Sequence, residues 1–147
     1  VRTPDSHFNL ANFMRSHLYA ALGALKVGMD ILNEGETVSI DKMTGHGGLF
    51  KTEGVGQKIM AAAVKAPVSV METAGEGGPW GEAILAAYMV NKAEDETLQD
   101  YLNRKVFADA KCVTIEPNTE DMEGLESYIS KFKEGIEMER IATKVLH

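Results

Sequence analysis

The sequence predicts an α/β fold, a short and mainly parallel sheet flanked by helices, on three observations. Between Ser6 and Asn91, segments of helical and strand periodicity alternate as helix, strand, helix, strand, helix, the order that builds parallel sheets. Two glycine clusters, Gly45-His46-Gly47-Gly48 and Gly75-Glu76-Gly77-Gly78, each follow a strand and precede a helix. A chain of 147 residues, 44% apolar and 25% charged, has enough material for one domain with its own core.

Each element has a local cause. Leu10, Met14, Leu18, Leu22, Leu25, Met29 and Leu32 recur at helical steps, predicting one long amphipathic helix from Ser6 to Asn33, started by Pro4, Asp5 and Ser6 and stopped by Gly35. Val38, Ile40 and Met43 mark a strand over Thr37 to Thr44. Past its glycines, the Ala-rich stretch Gly54 to Lys65 has high helix propensity, and Pro67 ends it. Val68 and Val70 predict a second strand over Pro67 to Met71. Pro79 suits the first turn of a helix running to Asn91, because its missing N–H costs nothing there. Thr97 with Asp100 forms a capping pattern for a short helix through Val106. Val113 to Ile115 reads as extended. Asn118 or Thr119 then caps a last helix with the stripe Met122, Leu125, Ile129, Phe132 and Ile136.

Composition excludes several functions. Fifteen basic against twenty-two acidic side chains leave a net charge of -7, which counts against a nucleic-acid partner, since phosphate backbones call for a basic stripe. The single cysteine, Cys112, cannot form an intrachain disulfide, and no secretory leader is visible, so the cytoplasm is the expected location. The longest uncharged apolar run, Ala83 to Val90, is far short of the roughly 20 residues of a membrane helix and fits a buried helix turn or two. The chain begins Val1-Arg2-Thr3-Pro4 without an initiator Met, which points to a piece of a longer polypeptide.

The stretch with most chemical content is Gly45 to Thr52. Glycines between a strand and a helix let a ligand approach the backbone, and the N–H groups of the helix start favour an anion such as phosphate. The loop is neither GxxxxGK[ST] nor GxGxxG, because Phe50 stands where each needs glycine; a tight turn with no ligand is the alternative. The second glycine cluster lies at the same carboxyl side of the expected sheet, where α/β folds bind ligands. Lys51 suits either phosphate neutralisation or simple solvation, with solvation slightly favoured. His46 is a candidate to support a ligand contact, and His17 reads as a packed or interfacial histidine. The spacing of His7, His17, His46 and His147 predicts no metal site. Glu72 and Glu76 read as caps or solvent contacts, and no nucleophile, base and orienting group assemble from the sequence.

The segment GHGGLFKTEGVGQKIMAAAVKAPVSVMETAGEGGPWGEAILAAY resembles the C-terminal lobe of the FGGY carbohydrate kinases. The likeness lies in a strand entering a GG loop, a helix carrying Gln57, the short strand at Pro67 and Val68, and the pattern Gly78, Gly81, Ala83, Leu85, Ala86. The long first helix and the segment VTIEPNTED with its Tyr128-containing helix are similar to the ends of xylulokinase- and ribulokinase-like members, so the resemblance extends over residues 1–147, with C-terminal helices from about residue 97.

The resemblance implies a ribonuclease H-like core of the actin-like ATPase type. It implies an intact protein that transfers phosphate from ATP to a sugar hydroxyl, in a pentulose such as xylulose or ribulose. Carried over by position, Gly47 and Gly48 line the nucleotide phosphates or ribose, Thr52 falls near the adenine, and Gly75 to Gly78 border it less directly. Mg2+ would be held mainly through the nucleotide and by parts of the family fold not matched here. Many relatives read GGG or DGG where this chain has Gly45-His46-Gly47-Gly48. The family's catalytic aspartate, in a Gly-Asp segment, matches no Asp of this chain. The implied partners are ATP and a sugar, with self-association through an unpaired edge of the first strand. Two other readings stay open: a non-catalytic actin-like nucleotide-binding or assembly module, and a Rossmann-type oxidoreductase using NADH.

Overall fold

The computed structural model describes residues 4–35 and 38–146, without the side chain of Glu76. Its elements are α1 (Leu10–Gly35), β1 (Met43–Gly45), α2 (Val55–Val64), β2 (Val68–Met71), α3 (Gly77–Asn91), α4 (Leu98–Tyr101), β3 (Cys112–Ile115) and α5 (Thr119–Val145). Short 3₁₀ turns at Gly48–Phe50 and Ala74–Glu76 follow β1 and β2, and a π-helical turn at Leu102–Val106 extends α4.

The sheet order is β1-β2-β3. β1 and β2 are parallel, with Met43 opposite Val68, whereas β2 and β3 are antiparallel, with Met71 opposite Cys112. The expectation of a mainly parallel sheet is therefore corrected: the sheet is small and mixed. The cause lies in the connections. A single helix, α2, carries the chain from β1 back to start β2 alongside it. Between β2 and β3 the chain passes through both α3 and α4, so it re-enters the sheet at the end where β2 leaves it.

The first strand is also shorter than its apolar pattern predicts. Residues 38–42 are not in a strand, and Thr37 lies outside the described residues. The Met43 N–H donates to the Pro67 carbonyl at 2.8 Å, so the pairing begins where β2 itself begins. Among the described residues β1 pairs with β2 alone.

Two helix layers stack on one side of the sheet. Val68, 0% exposed, packs with Ala61, Val64 and Ala66 between β2 and α2. The opposite side of α2 presents Ala62 and Ala63 to Tyr19 and Leu22 of α1 and to Leu125 and Ile129 of α5. The alanines of α2 thus serve a packing purpose: a helix buried on both sides must be thin for its neighbours to close on it. Gly23 of α1 does likewise, since a Cβ there would meet the Phe132 ring at 2.8 Å.

The α1 stripe is corrected in part. Tyr19, Leu22, Gly23 and Lys26 form the buried face, while Leu10 at 76% and Met14 at 53% stay exposed because α5 and α2 reach only the middle of the helix. Lys26, almost fully buried, ion-pairs with Asp30 and with Glu126 of α5 at 3.1 Å; Lys65 and Lys133 complete the cluster at 2.9 and 3.2 Å. Burial alone would push the Lys26 amine down, and its two carboxylate partners outweigh that and hold it above its ordinary value. Two caps fall where expected: Thr97 accepts from the Asp100 N–H at 3.1 Å, and Asn118 accepts from the Asp121 N–H at 2.8 Å. The start of α1 does not: the helix begins at Leu10, where Asn9 Oδ1 accepts from the Asn12 N–H at 2.8 Å, and not at Ser6.

Candidate functional site

Both glycine loops lie at the carboxyl end of the β1 and β2 pair, and they touch. The Gly47 N–H donates to the Ala74 carbonyl at 2.7 Å, and a Cβ on Gly77 would meet the His46 side chain at 2.9 Å. Gly47 adopts φ +99°, a conformation that side-chain-bearing residues resist, so glycine is required there by the turn itself. Gly48 differs. It opens the 3₁₀ turn, and a Cβ on it would meet nothing within 4 Å. A ligand can therefore reach the backbone at Gly48, while the Gly47 N–H is already engaged in tying the loops together.

The 3₁₀ turn then feeds α2. The Phe50 ring covers Gly45, where a Cβ would lie 2.4 Å away, and Gly56 admits the Leu49 carbonyl, which a Cβ would meet at 2.3 Å. Gly54, at φ +73°, makes the final bend into α2. These close approaches fix residues 51–54 as one wall of a cleft of about 470 Å³. Val70, Met71 and Glu72 at the end of β2 form a second wall, and Val113 and Ile115 of β3 a third. The volume falls within the range of small-molecule sites, about 300–1,000 Å³.

Of the residues predicted from sequence, Thr52 lines this cleft, together with Lys51, and Gly47 and Gly48 do not. The Lys51 stem lies along Gly75, which a Cβ would bring to 3.4 Å, so the second loop steadies the lysine of the first. Glu72 is a rim group of the cleft; the Glu76 side chain is outside the described residues. His46 faces elsewhere. It lines a separate apolar pocket of about 480 Å³ with Trp80, Ile84, Leu102 and Phe107, the Trp80 and Phe107 rings meeting edge to face at 5.6 Å. Met71 borders both spaces. His17, expected to be packed or interfacial, is exposed on α1 with its ring 4.5 Å from that of Phe13.

Two cleft residues carry roles beyond their sequence reading. Gln57, only 4% exposed, donates to the Val68 carbonyl at 2.6 Å and the Val113 carbonyl at 2.7 Å, joining α2 to β2 and β3. Val113 lies on a strand whose position at the cleft depends on a pairing too short to read from sequence. The charged residues that line the cleft are Lys51, Glu53 and Glu72. A lining of this net charge accepts a polyphosphate best when a divalent cation accompanies it. Among the described residues no group of three His, Cys, Asp or Glu side chains is placed to hold a metal alone.

Chemically, the arrangement offers an exposed glycine backbone, a hydroxyl and a cation on one side, and apolar walls on the other. That combination suits an amphipathic anion, and among the described lining residues no nucleophile with an adjacent base is placed. The FGGY family of carbohydrate kinases, C-terminal domain, matches residues 1–90. The match takes in α1, both glycine loops, α2, β2 and nearly all of α3, and leaves α4, β3 and α5 outside it. No curated protein and no solved structure gives a significant match to the chain.

Proposed function

Because the chain belongs to the FGGY family of carbohydrate kinases, we propose that residues 1–147 form the nucleotide-binding part of an ATP-dependent sugar kinase. The sugar is read as a pentulose of the xylulose or ribulose type, from the resemblance of the chain's ends to such members. ATP would lie across the contact of the two glycine loops, with its phosphates at Gly48 and its base and ribose toward Thr52. The observation that carries this is the meeting of the two loops beside a cleft with a lysine on its rim.

In this reading Gly48 binds by letting phosphate oxygens reach the backbone, and Lys51 compensates their charge. Mg2+, bound with the nucleotide, would neutralise phosphate charge. Glu53 and Glu72, which line the cleft, are the carboxylates that would help to hold it. The base that deprotonates the sugar belongs to another part of the kinase, since no acid of this chain occupies the family's Gly-Asp motif. Catalysis is then mainly positioning and charge stabilisation between closing lobes.

Titration of the chain with a fluorescent N-methylanthraniloyl ATP tests the nucleotide assignment. Weak, saturable, Mg2+-dependent binding is expected, because one wall of the site provides few contacts against the cost of association. Binding unaffected by Gly48→Val would overturn the placement of the phosphates.

A further inference from the structure

The family match ends in α3, yet the cleft does not. Its third wall is β3, which pairs antiparallel with β2, and two polar contacts hold it there. On one face the hydroxyls of Ser69 and Thr114 are 2.7 Å apart. On the side of α2, Gln57 spends both amide hydrogens on strand carbonyls, one from β2 and one from β3. A glutamine buried in the first turn of a helix and bonded to two strands is costly to misplace, since losing it strands two acceptors away from water.

From this we infer that the segment beyond the matched region completes the nucleotide site, and that Gln57 is a positioning residue clamping β3 and the Thr52 to Gly54 loop into one frame. The inference rests on the nucleotide reading of the cleft. It adds that Val113 and Ile115 form the apolar wall against the base, and that a lobe ending at α3 would bind nucleotide poorly even if it folded. Gln57 touches no phosphate. Its influence passes through α2, whose first turn it shares with the loop that carries Thr52 and Lys51.

The test uses the 147-residue chain and two variants. Gln57→Met keeps the side-chain length and removes both donors; Val113→Glu places a carboxylate on a wall residue that is 57% exposed and so leaves the core alone. Hydrogen exchange and binding of N-methylanthraniloyl ATP are read together. Gln57→Met is expected to lose amide protection at residues 52–56 and 112–115 while α5 stays protected at Leu125 and Ile129, and to bind nucleotide about tenfold more weakly. Val113→Glu is expected to keep all protection and bind at least tenfold more weakly, which a merely structural role would not produce. Unchanged protection in Gln57→Met overturns the clamp, whatever the nucleotide result. Unchanged affinity in Val113→Glu overturns the wall, including when Gln57→Met fails to fold. A parent chain that binds no nucleotide overturns the nucleotide reading itself.

Discussion

Gly47 and Gly48 are neighbours with different reasons to be glycine, and substitution separates them. Gly47 holds φ +99°, so Gly47→Val strains the turn and lowers the melting temperature as well as nucleotide affinity. Gly48 has open space around it, so Gly48→Val should cost less than about 1 kcal/mol of stability while raising the ATP requirement of the kinase at least tenfold. Thermal denaturation with ATP titration distinguishes them. Gly56→Ala is expected to destabilise by about 1–3 kcal/mol, since its Cβ would collide with the Leu49 carbonyl, a backbone atom that cannot swing aside. The glycine clusters were legible in the sequence as a loop pair at the strand ends. Which glycine serves the turn and which leaves open space beside its backbone was not, because that division depends on a dihedral angle and on the Ala74 carbonyl across the loop.

Between elements, the Lys26 cluster ties α1 to α5 and to the end of α2. The Glu126 carboxyl is held below its ordinary value first by the hydrogen bond from Lys65. For Asp30 burial acts upward, and the bonds from Lys26 and Lys133 more than offset it. Carboxylates lowered in the folded state stabilise it above their unfolded pKa, and that stabilisation disappears as pH falls through the folded values, below about 4. Lys26, raised, adds stability that is lost only above about pH 10.4. The melting temperature should therefore drop in acid, and an Asp30→Asn, Glu126→Gln chain should show a shallower acid limb. Lys26→Met should be nearly neutral, since Asp30 and Glu126 keep Lys133 and Lys65, whereas Asp30→Asn removes a partner from a buried amine and should cost about 2 kcal/mol. Urea unfolding at pH 7 compares the two. Helix positions were readable here from stripes and caps. The burial of Lys26 was not, because a lysine inside an apolar stripe signals nothing until its partner helix, about a hundred residues later, is known to lie against it.

At the scale of the whole molecule, the alternation of helix and strand predicted an α/β fold, and the chain has one. Its failure came after Met71, where two helices in succession reverse the direction of the third strand, a consequence of the Thr97 to Val106 helix that periodicity shows but topology must interpret. β1 keeps an edge with no partner among the described residues, and α1 leaves Leu10 and Ile31 largely exposed. Edges and apolar faces of this kind favour association, so the chain alone is expected to sediment as dimers or larger species at micromolar concentration, and a strictly monomeric boundary would count against this. Coupled measurement of ADP release from the intact protein across pentuloses, hexuloses and polyols checks whether this chain serves the nucleotide of a sugar kinase. Sugar-dependent ADP release is expected, with an ATP requirement that rises at least tenfold in Gly48→Val. ATP binding accompanied by no phosphorylation of any sugar would contradict it.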